Sequence, residues 1–195
     1  MTLEETKTDL KEIGFQGFVT IGSLFKNSST IPNVKGVYMI LYLSAAAPKF
    51  RTIGSGGHFK EKNPNVSLQL LQDNWVDKAT IVYIGKAGSE SGSATLQSRL
   101  KQYLSFGQGK AVGHWGGRLI WQLPFAEDLI VCWKTTPQQE PSVIESYLIG
   151  QFKLNKYLCS VQTDIFKIST KHISRNLNQG FEFMPLLFFP LIPLC

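Results

Sequence analysis

A glutamate on the core-facing side of a predicted helix is the residue of this sequence that points most directly to chemistry. Glu145 lies between Ile144 and Leu148, inside the apolar arc of that helix rather than on its polar side. Removing a carboxylate from water is costly unless the group is paired or holds a metal ion. Two interpretations follow: Glu145 belongs to a metal or catalytic site, or it forms a buried salt bridge, with Arg99 as the candidate partner.

An arginine and a tyrosine share one face of an earlier predicted helix. Arg99 and Tyr103 are one helical turn apart, and Arg99 borders an apolar stripe. The stripe consists of Leu96, Leu100 and Leu104. The guanidinium is therefore expected at the junction of helix and sheet, where it can bind phosphate oxygens through two hydrogen bonds and stays charged. The alternative is an arginine whose stem packs on the stripe while its head is solvated.

Two tyrosines occupy matching positions in two neighbouring strand-like segments. Tyr38 closes Gly36-Val37-Tyr38, and Tyr83 opens Tyr83-Ile84-Gly85. Because tyrosine favours strands, each one taken alone is also explained as a sheet residue with a solvent-facing hydroxyl. The order in which the two tyrosines precede Arg99 and Glu145 along the chain is more informative than either one.

The charge of the chain favours a polyanionic partner. The formal net charge is +6 and the pI is near 9.2. Hydrophobic residues make up 43% and charged residues 17% of the chain, a balance typical of a globular protein. The residues expected to contact DNA phosphates are Lys60, Lys62, Lys101, Lys110, His114 and Arg118. Each cation is alternatively a solvated surface charge, and His114 an ordinary loop histidine.

The pattern of apolar residues predicts an α/β fold, with a small mixed or antiparallel sheet flanked by helices. Strands are predicted at 36–43, 80–84, 119–123 and 129–133, and helices at 3–12, 94–105 and 136–154. The first strand is expected to be buried on both faces, because it is continuously apolar. Ser93 is placed to cap the second helix, and Thr136-Pro137 to open the third. Residues 14–34 show a mixed pattern.

The domain prediction divides the chain into one domain and a tail. Residues 1–157 form the domain, and residues 44–78 are a segment inserted between its first two strands. Phe50 to Ile53 is expected to form one arm of a hairpin. Residues 158–195 lose their periodicity and end in proline-punctuated Leu and Phe. This irregular apolar tail is interpreted as a docked arm, a binding segment or an aberrant end of the coding sequence.

Cysteine usage and the chain ends favour the cytoplasm. Cys132, Cys159 and Cys195 are widely spaced, form no metal-binding pair and indicate a reducing compartment. The polar, acidic N-terminus does not resemble a secretory signal, and the apolar C-terminal run is too short to span a bilayer. The expected protein is therefore cytoplasmic and has no membrane partner.

In their order along the chain, these residues resemble the motifs of the GIY-YIG nuclease family. Gly36-Val37-Tyr38 corresponds to the first motif and Tyr83-Ile84-Gly85 to the second. Arg99 with Tyr103, and then Glu145, follow on later helices, as in that family. The long insertion is similar to that of the restriction-endonuclease branch. The candidates for the Asn that the family carries beyond its Glu are Asn155, Asn176 and Asn178.

The resemblance implies a metal-dependent endonuclease that cuts double-stranded DNA. Glu145 would be the protein ligand of one Mg²⁺ or Mn²⁺ ion. Tyr38 would accept the proton of the attacking water. Since a tyrosine pKa is ordinarily about 10, that role needs a nearby cation, which Lys86 is expected to supply. Arg99 would neutralise the phosphate in the transition state.

Further expectations concern the surroundings of this site. Tyr83 and Tyr103 would orient water and phosphate, while the insertion and the loop 107–118 would contact the duplex. A homodimer is left open. The first rival hypothesis is a nucleic-acid-binding module of the same fold without catalysis. The second is an interaction protein whose apolar tail docks a partner.

Overall fold

The computed structural model describes residues 3–42, 44 and 46–159 of the chain. Its main elements are α1 (Leu3–Glu12), β1 (Gln16–Thr20), α2 (Ile21–Lys26), β2 (Gly36–Leu41), α3 (Leu68–Asn74), β3 (Ile81–Ala87), α4 (Leu96–Gly107), β4 (Ile130–Thr135) and α5 (Pro141–Cys159). Two 3-10 helices, Trp115–Gln122 and Ala126–Asp128, lie between α4 and β4. Helix α5 continues past the predicted domain boundary at 157, and the predicted tail from residue 160 onward lies outside the described residues. None of the helices in these ranges combines the length and apolar character that crossing a bilayer requires.

Strand β2 lies inside the sheet and has a hydrogen-bonded neighbour on each side. The strand order is β1-β4-β2-β3, and all three pairings are antiparallel. Every residue of β2 is buried, which confirms the prediction of a strand buried on both faces. The predicted α/β fold with a small antiparallel sheet and flanking helices is confirmed.

Helices α4 and α5 cover opposite faces of this sheet. Side chains alternate along β2, so Tyr38 and Val37 belong to different faces. Tyr38 shares a core cluster with Leu100 of α4, whereas Val37 shares a second cluster with Leu148 of α5. All three leucines of the predicted α4 stripe are buried, and each stabilises the fold by roughly 1.5–3 kcal/mol relative to an exposed one.

The starts of α4 and α5 differ from the predicted ones. The Thr95 hydroxyl accepts a hydrogen bond from the Ser98 amide at 3.2 Å, and Ser98 Oγ accepts one from the Thr95 amide at 2.9 Å. The prediction that Ser93 caps α4 is wrong, because the cap is the residue whose hydroxyl reaches the amide three positions on. Helix α5 begins at Pro141 rather than at Thr136, and the first helical turn tolerates proline since its amide hydrogen would have no helical partner.

The predicted strand at 119–123 is wrong, because this segment belongs to the 3-10 helix Trp115–Gln122. Ile120 and Trp121 are buried from that helix into the α4-side core. A short apolar run is compatible with either conformation, so the pattern alone could not distinguish them. In the same way, residues 14–34 contain β1 and α2, which are 5 and 6 residues long and too short to show a periodicity.

The inserted segment is attached to the core by the buried side chain of Gln122. Its Oε1 accepts a hydrogen bond from the Val66 amide at 2.9 Å, and its Nε2 donates to the carbonyls of Arg51 and Val66, both at 3.0 Å. The Arg51 amide also donates to the Gln122 carbonyl at 2.8 Å. The prediction of a hairpin arm at Phe50 to Ile53 is wrong, because this backbone bonds to a 3-10 helix instead of a partner strand.

We expect Gln122→Leu to lower the free energy of unfolding by about 2–4 kcal/mol, since several buried backbone groups of the insertion lose their partner. Urea denaturation measures this loss, and limited proteolysis should cut within 46–66 before the rest of the domain. Gln72→Leu, at an exposed position of α3, is the control and should change stability by less than about 0.5 kcal/mol. Equal denaturation midpoints for the two variants would show that Gln122 does not hold the insertion.

Candidate active site

The pairing of β2 with β3 brings the two motif tyrosines together. Tyr38 lies opposite Gly85 and Ile40 lies opposite Tyr83, so both phenols project from the α4 face. Their ring centroids are 5.9 Å apart. Position 85 requires glycine for a steric reason, because a Cβ there would lie 2.7 Å from the Tyr38 hydroxyl oxygen. The glycine of the second motif thus makes room for the tyrosine of the first.

Arg99 provides the positive charge of this site. Its side chain is half-buried, and Nη1 donates a hydrogen bond to Gln102 Oε1 at 2.6 Å. The guanidinium lowers the pKa of Tyr38, of Tyr83 and of Glu145, although burial is the larger influence on each. One cation therefore acts electrostatically on residues of β2, β3 and α5 at once.

Burial keeps both phenols protonated. It raises the pKa of Tyr38 well above its usual range, and the nearby Arg99 charge offsets only part of the effect. Burial also raises the pKa of Tyr83. Lys86 had been expected to be the cation beside Tyr38, but it lies opposite Val37 in the register. Strand alternation therefore directs Lys86 toward α5, and the cation beside Tyr38 is Arg99.

Glu145 forms an ion pair with Lys86, with 3.4 Å between Oε2 and Nζ. The salt-bridge partner of Glu145 is therefore Lys86, whereas the sequence had suggested Arg99. Burial raises the pKa of the Glu145 carboxyl, whereas Lys86 and then Arg99 lower it. The Glu145 side chain keeps 22% of its surface exposed, so this residue is still partly accessible to solvent.

A single open carboxylate fits an ion such as Mg²⁺, which keeps several waters and uses one or two protein carboxylates. Within the described residues, no three His, Cys, Asp or Glu side chains form a cluster that could hold a metal. Among the residues chosen from the sequence, Glu145 is the one whose carboxylate could serve as such a ligand.

Tyr103 is fully buried beside the motif tyrosines, as Tyr38 is. Its ring stacks on Tyr83 with a centroid distance of 6.1 Å, and it packs 4.8 Å from both His114 and Trp121. The ring is fully buried, and its hydroxyl has no hydrogen-bond partner among the described residues. The geometry thus makes Tyr103 a support for Tyr83, whereas the resemblance implied that it orients water or phosphate.

His114 is inside the protein, although it had been expected to reach a phosphate from a loop. Only 1% of its surface is exposed, and neither ring nitrogen has a partner in the described part of the chain. Burial, together with a smaller contribution from the Arg99 charge, lowers its pKa to about 3. Gly117 allows the loop to pack closely on the aromatic rings, because any larger residue would place its Cβ 2.6 Å from the Tyr103 ring.

The predicted DNA-contacting cations divide into two groups. Lys60, Lys62, Lys101 and Lys110 are exposed, whereas Arg118 is half-buried. Lys62 and Arg118 both lie over the ring of Trp115. Of the Asn candidates, Asn176 and Asn178 lie outside the described residues, and the Asn155 side chain is not among those described.

Sequence reasoning missed two residues of this region. Gln102, the hydrogen-bond partner of Arg99, follows it at helical i+3 spacing, so that spacing could have identified it. Trp115 lies within the loop 107–118 that was predicted to contact the duplex, and its association with Lys62 joins segments that are far apart in sequence. Comparisons of the chain with family models, with curated proteins and with solved structures find no match.

We expect His114→Phe to remove part of the acid sensitivity of the fold. The neutral imidazole is favoured in the folded protein, since its pKa falls from 6.5 to about 3. As the pH falls below that ordinary value, the unfolded chain binds a proton that the folded chain does not. Wild-type stability should therefore decline relative to the variant by about 1.4 kcal/mol per pH unit.

Urea denaturation of both proteins at a series of acidic pH values measures this difference. His58→Phe, which replaces an exposed histidine of the insertion, is the control and should keep the wild-type pH dependence. Parallel stability curves for wild type and His114→Phe would show that His114 is not buried in its neutral form.

Proposed function

We propose that this chain is a metal-dependent endonuclease that hydrolyses phosphodiester bonds of double-stranded DNA, of the GIY-YIG type and of its restriction-enzyme branch. The observation that carries the proposal is the convergence on Arg99. Its charge acts on Tyr38, Tyr83 and Glu145, which come from three other elements. The residues chosen from the order of the motifs are thus neighbours in space, around the edge strand β3.

Arg99 is suited to bind the scissile phosphate. Its observed hydrogen-bond partner, Gln102, is neutral, so the guanidinium keeps its full charge. Tyr38 and Tyr83 beside it are protonated and do not neutralise it. A half-buried cation of this kind interacts more strongly with a phosphate dianion-like transition state than a solvated one does.

Glu145 would hold the Mg²⁺ or Mn²⁺ ion. When bound, the ion would stabilise charge on the phosphate and on the leaving group. The contact between Glu145 and Lys86 is 3.4 Å long, whereas the strongest charge-assisted hydrogen bonds are about 2.7–2.9 Å long. This ion pair is therefore easily exchanged for another partner of Glu145. Glu145 also acts electrostatically on Tyr83, whose pKa is raised mainly by burial and to a smaller extent by this carboxylate.

Tyr38 Oη is the proposed acceptor of the proton from the attacking water. The water oxygen forms a bond to phosphorus, the bond from phosphorus to the leaving oxygen breaks, and the water proton moves to Tyr38 Oη. Only the phenolate can accept this proton, and burial makes the phenolate scarce at neutral pH. The rate should therefore rise with pH, and Arg99 is the cation that favours the ionised form.

We expect Glu145→Gln to abolish plasmid cleavage in Mg²⁺ or Mn²⁺ while DNA affinity in EDTA changes little, because affinity comes mainly from basic side chains. Glu140→Gln is the matched control. Glu140 precedes the same helix and pairs with Lys35 at 2.8 Å, so its loss also breaks an ion pair but leaves the site intact. The control should cut like wild type.

Full cleavage by Glu145→Gln would remove this residue from the site. A wild-type protein that binds DNA in EDTA and cuts with neither metal would contradict the nuclease proposal, and would favour the non-catalytic binding module.

Tyr38→Phe and Arg99→Ala should each lower the cleavage rate by at least roughly a hundredfold, the usual scale for a general base or a charge-stabilising group. The wild-type rate should rise about tenfold per pH unit on the alkaline side of neutrality, and Tyr38→Phe should lose that dependence. Tyr42→Phe is the control, since this buried tyrosine on the same face donates its hydrogen bond to the Ala46 carbonyl, away from Arg99. Wild-type rates in both test variants would refute the assignment of these residues.

A further inference from the structure

An exposed tryptophan stands beside the proposed active site. Trp115 begins the first 3-10 helix and keeps 45% of its surface exposed. Trp121 and Trp133, by contrast, are buried in the core. An indole offers a large apolar face together with one hydrogen-bond donor, and an exposed one is typical of binding surfaces.

Cations from two distant segments surround this indole. The Arg118 guanidinium carbon is 4.4 Å from the ring centroid, and Lys62 Nζ, from the insertion, is 5.9 Å from it. Lys60 lies close by in sequence, with Nζ 5.5 Å from the Phe59 ring centroid. Glu61 is the acidic residue between the two lysines. The Trp115 patch, defined as Lys62, Trp115 and Arg118, therefore carries a net positive charge.

The patch adjoins the proposed catalytic tyrosines. A Cβ on Gly116, the residue after Trp115, would lie 3.4 Å from the Tyr83 hydroxyl oxygen. On the other side, a Cβ on Gly113 would lie 3.2 Å from the Phe59 ring, so the insertion packs on the same loop. A strand of nucleic acid whose phosphate reaches Tyr83 would therefore have its next nucleotide near Trp115.

We propose that the Trp115 patch binds an unpaired nucleobase next to the scissile phosphate, so that within double-stranded DNA the preferred sites have an unpaired base at or beside the cut. The base would stack on the indole, while Lys62 and Arg118 would contact the flanking phosphates. Charge complementarity favours a polyanion over an apolar protein partner, and the exposed aromatic face favours an accessible base over the outside of a paired duplex. This inference rests on the proposed function.

The test measures DNA binding in EDTA, where no cleavage occurs, by fluorescence anisotropy of labelled oligonucleotides. The probes are a single strand, a fully paired duplex and the same duplex with a short bulge. Trp115→Ala should weaken binding of the single strand and of the bulged duplex by about 5- to 150-fold, the usual effect of losing one stacked base. Its effect on the paired duplex should be small, and Trp115→Phe should keep most of the affinity for all three probes.

Lys62→Gln should weaken binding of every probe. It should also reduce the slope of log affinity against log salt concentration by the amount that about one phosphate contact contributes. Lys26→Gln, at an exposed position of α2, is the matched charge control and should bind as wild type does. The proposal would be overturned if Trp115→Ala reduced the affinity for paired and unpaired probes equally, or reduced the affinity for none of the probes.

Cleavage assays separate this inference from the proposed function. If the wild-type protein cuts DNA and the Trp115→Ala variant binds unpaired probes normally, the proposed role of the patch is refuted and the nuclease proposal stands. The reverse result, a Trp115-dependent preference for unpaired bases without cleavage in either metal, refutes the nuclease proposal and supports the patch.

Discussion

The register between β2 and β3 decides where each proposed catalytic side chain projects. With Tyr38 opposite Gly85, Tyr83 lies on the same face and Lys86 on the other. A shift by one residue would reverse this arrangement, because side chains alternate along a strand. Gly85 permits the observed register, since a side chain at this position would collide with the Tyr38 phenol. This one register thus places the tyrosines beside Arg99 and also allows Lys86 to pair with Glu145.

That register concentrates positive charge at the site. Burial raises the pKa of Tyr38, so this phenol carries no negative charge that would neutralise Arg99. His114 is also uncharged near neutral pH, since burial and the Arg99 charge lower its pKa to about 3. Glu145, whose pKa Arg99 lowers, is already paired with Lys86. A half-buried guanidinium among neutral groups produces a local potential that favours an anion. The proposed phosphate site depends on this arrangement more than on the overall charge of the chain.

The first 3-10 helix connects the site to the insertion. Gln122 at its end binds the backbone of Arg51 and Val66, Gly117 allows close packing on Tyr103, and Trp115 at its start faces outward between cations. These three contacts use three sides of one short element. The insertion, the proposed stacking patch and the tyrosines are therefore positioned by the same segment. The sequence pattern had divided this segment between a loop ending at 118 and a strand at 119–123.

The sequence by itself determined the central strands and the leucine-striped helix, and it supplied Tyr38, Tyr83, Arg99 and Glu145 as the proposed site residues. These features are local, since apolar runs, helical spacing and motif order can be read without knowing what packs against them. Tertiary structure decided the partner of Lys86, because that depends on the face to which a strand residue points. It also decided the burial of His114 and the attachment of the insertion through Gln122. Both require contacts between segments far apart in the chain, and no local pattern encodes which distant segment will supply the matching surface.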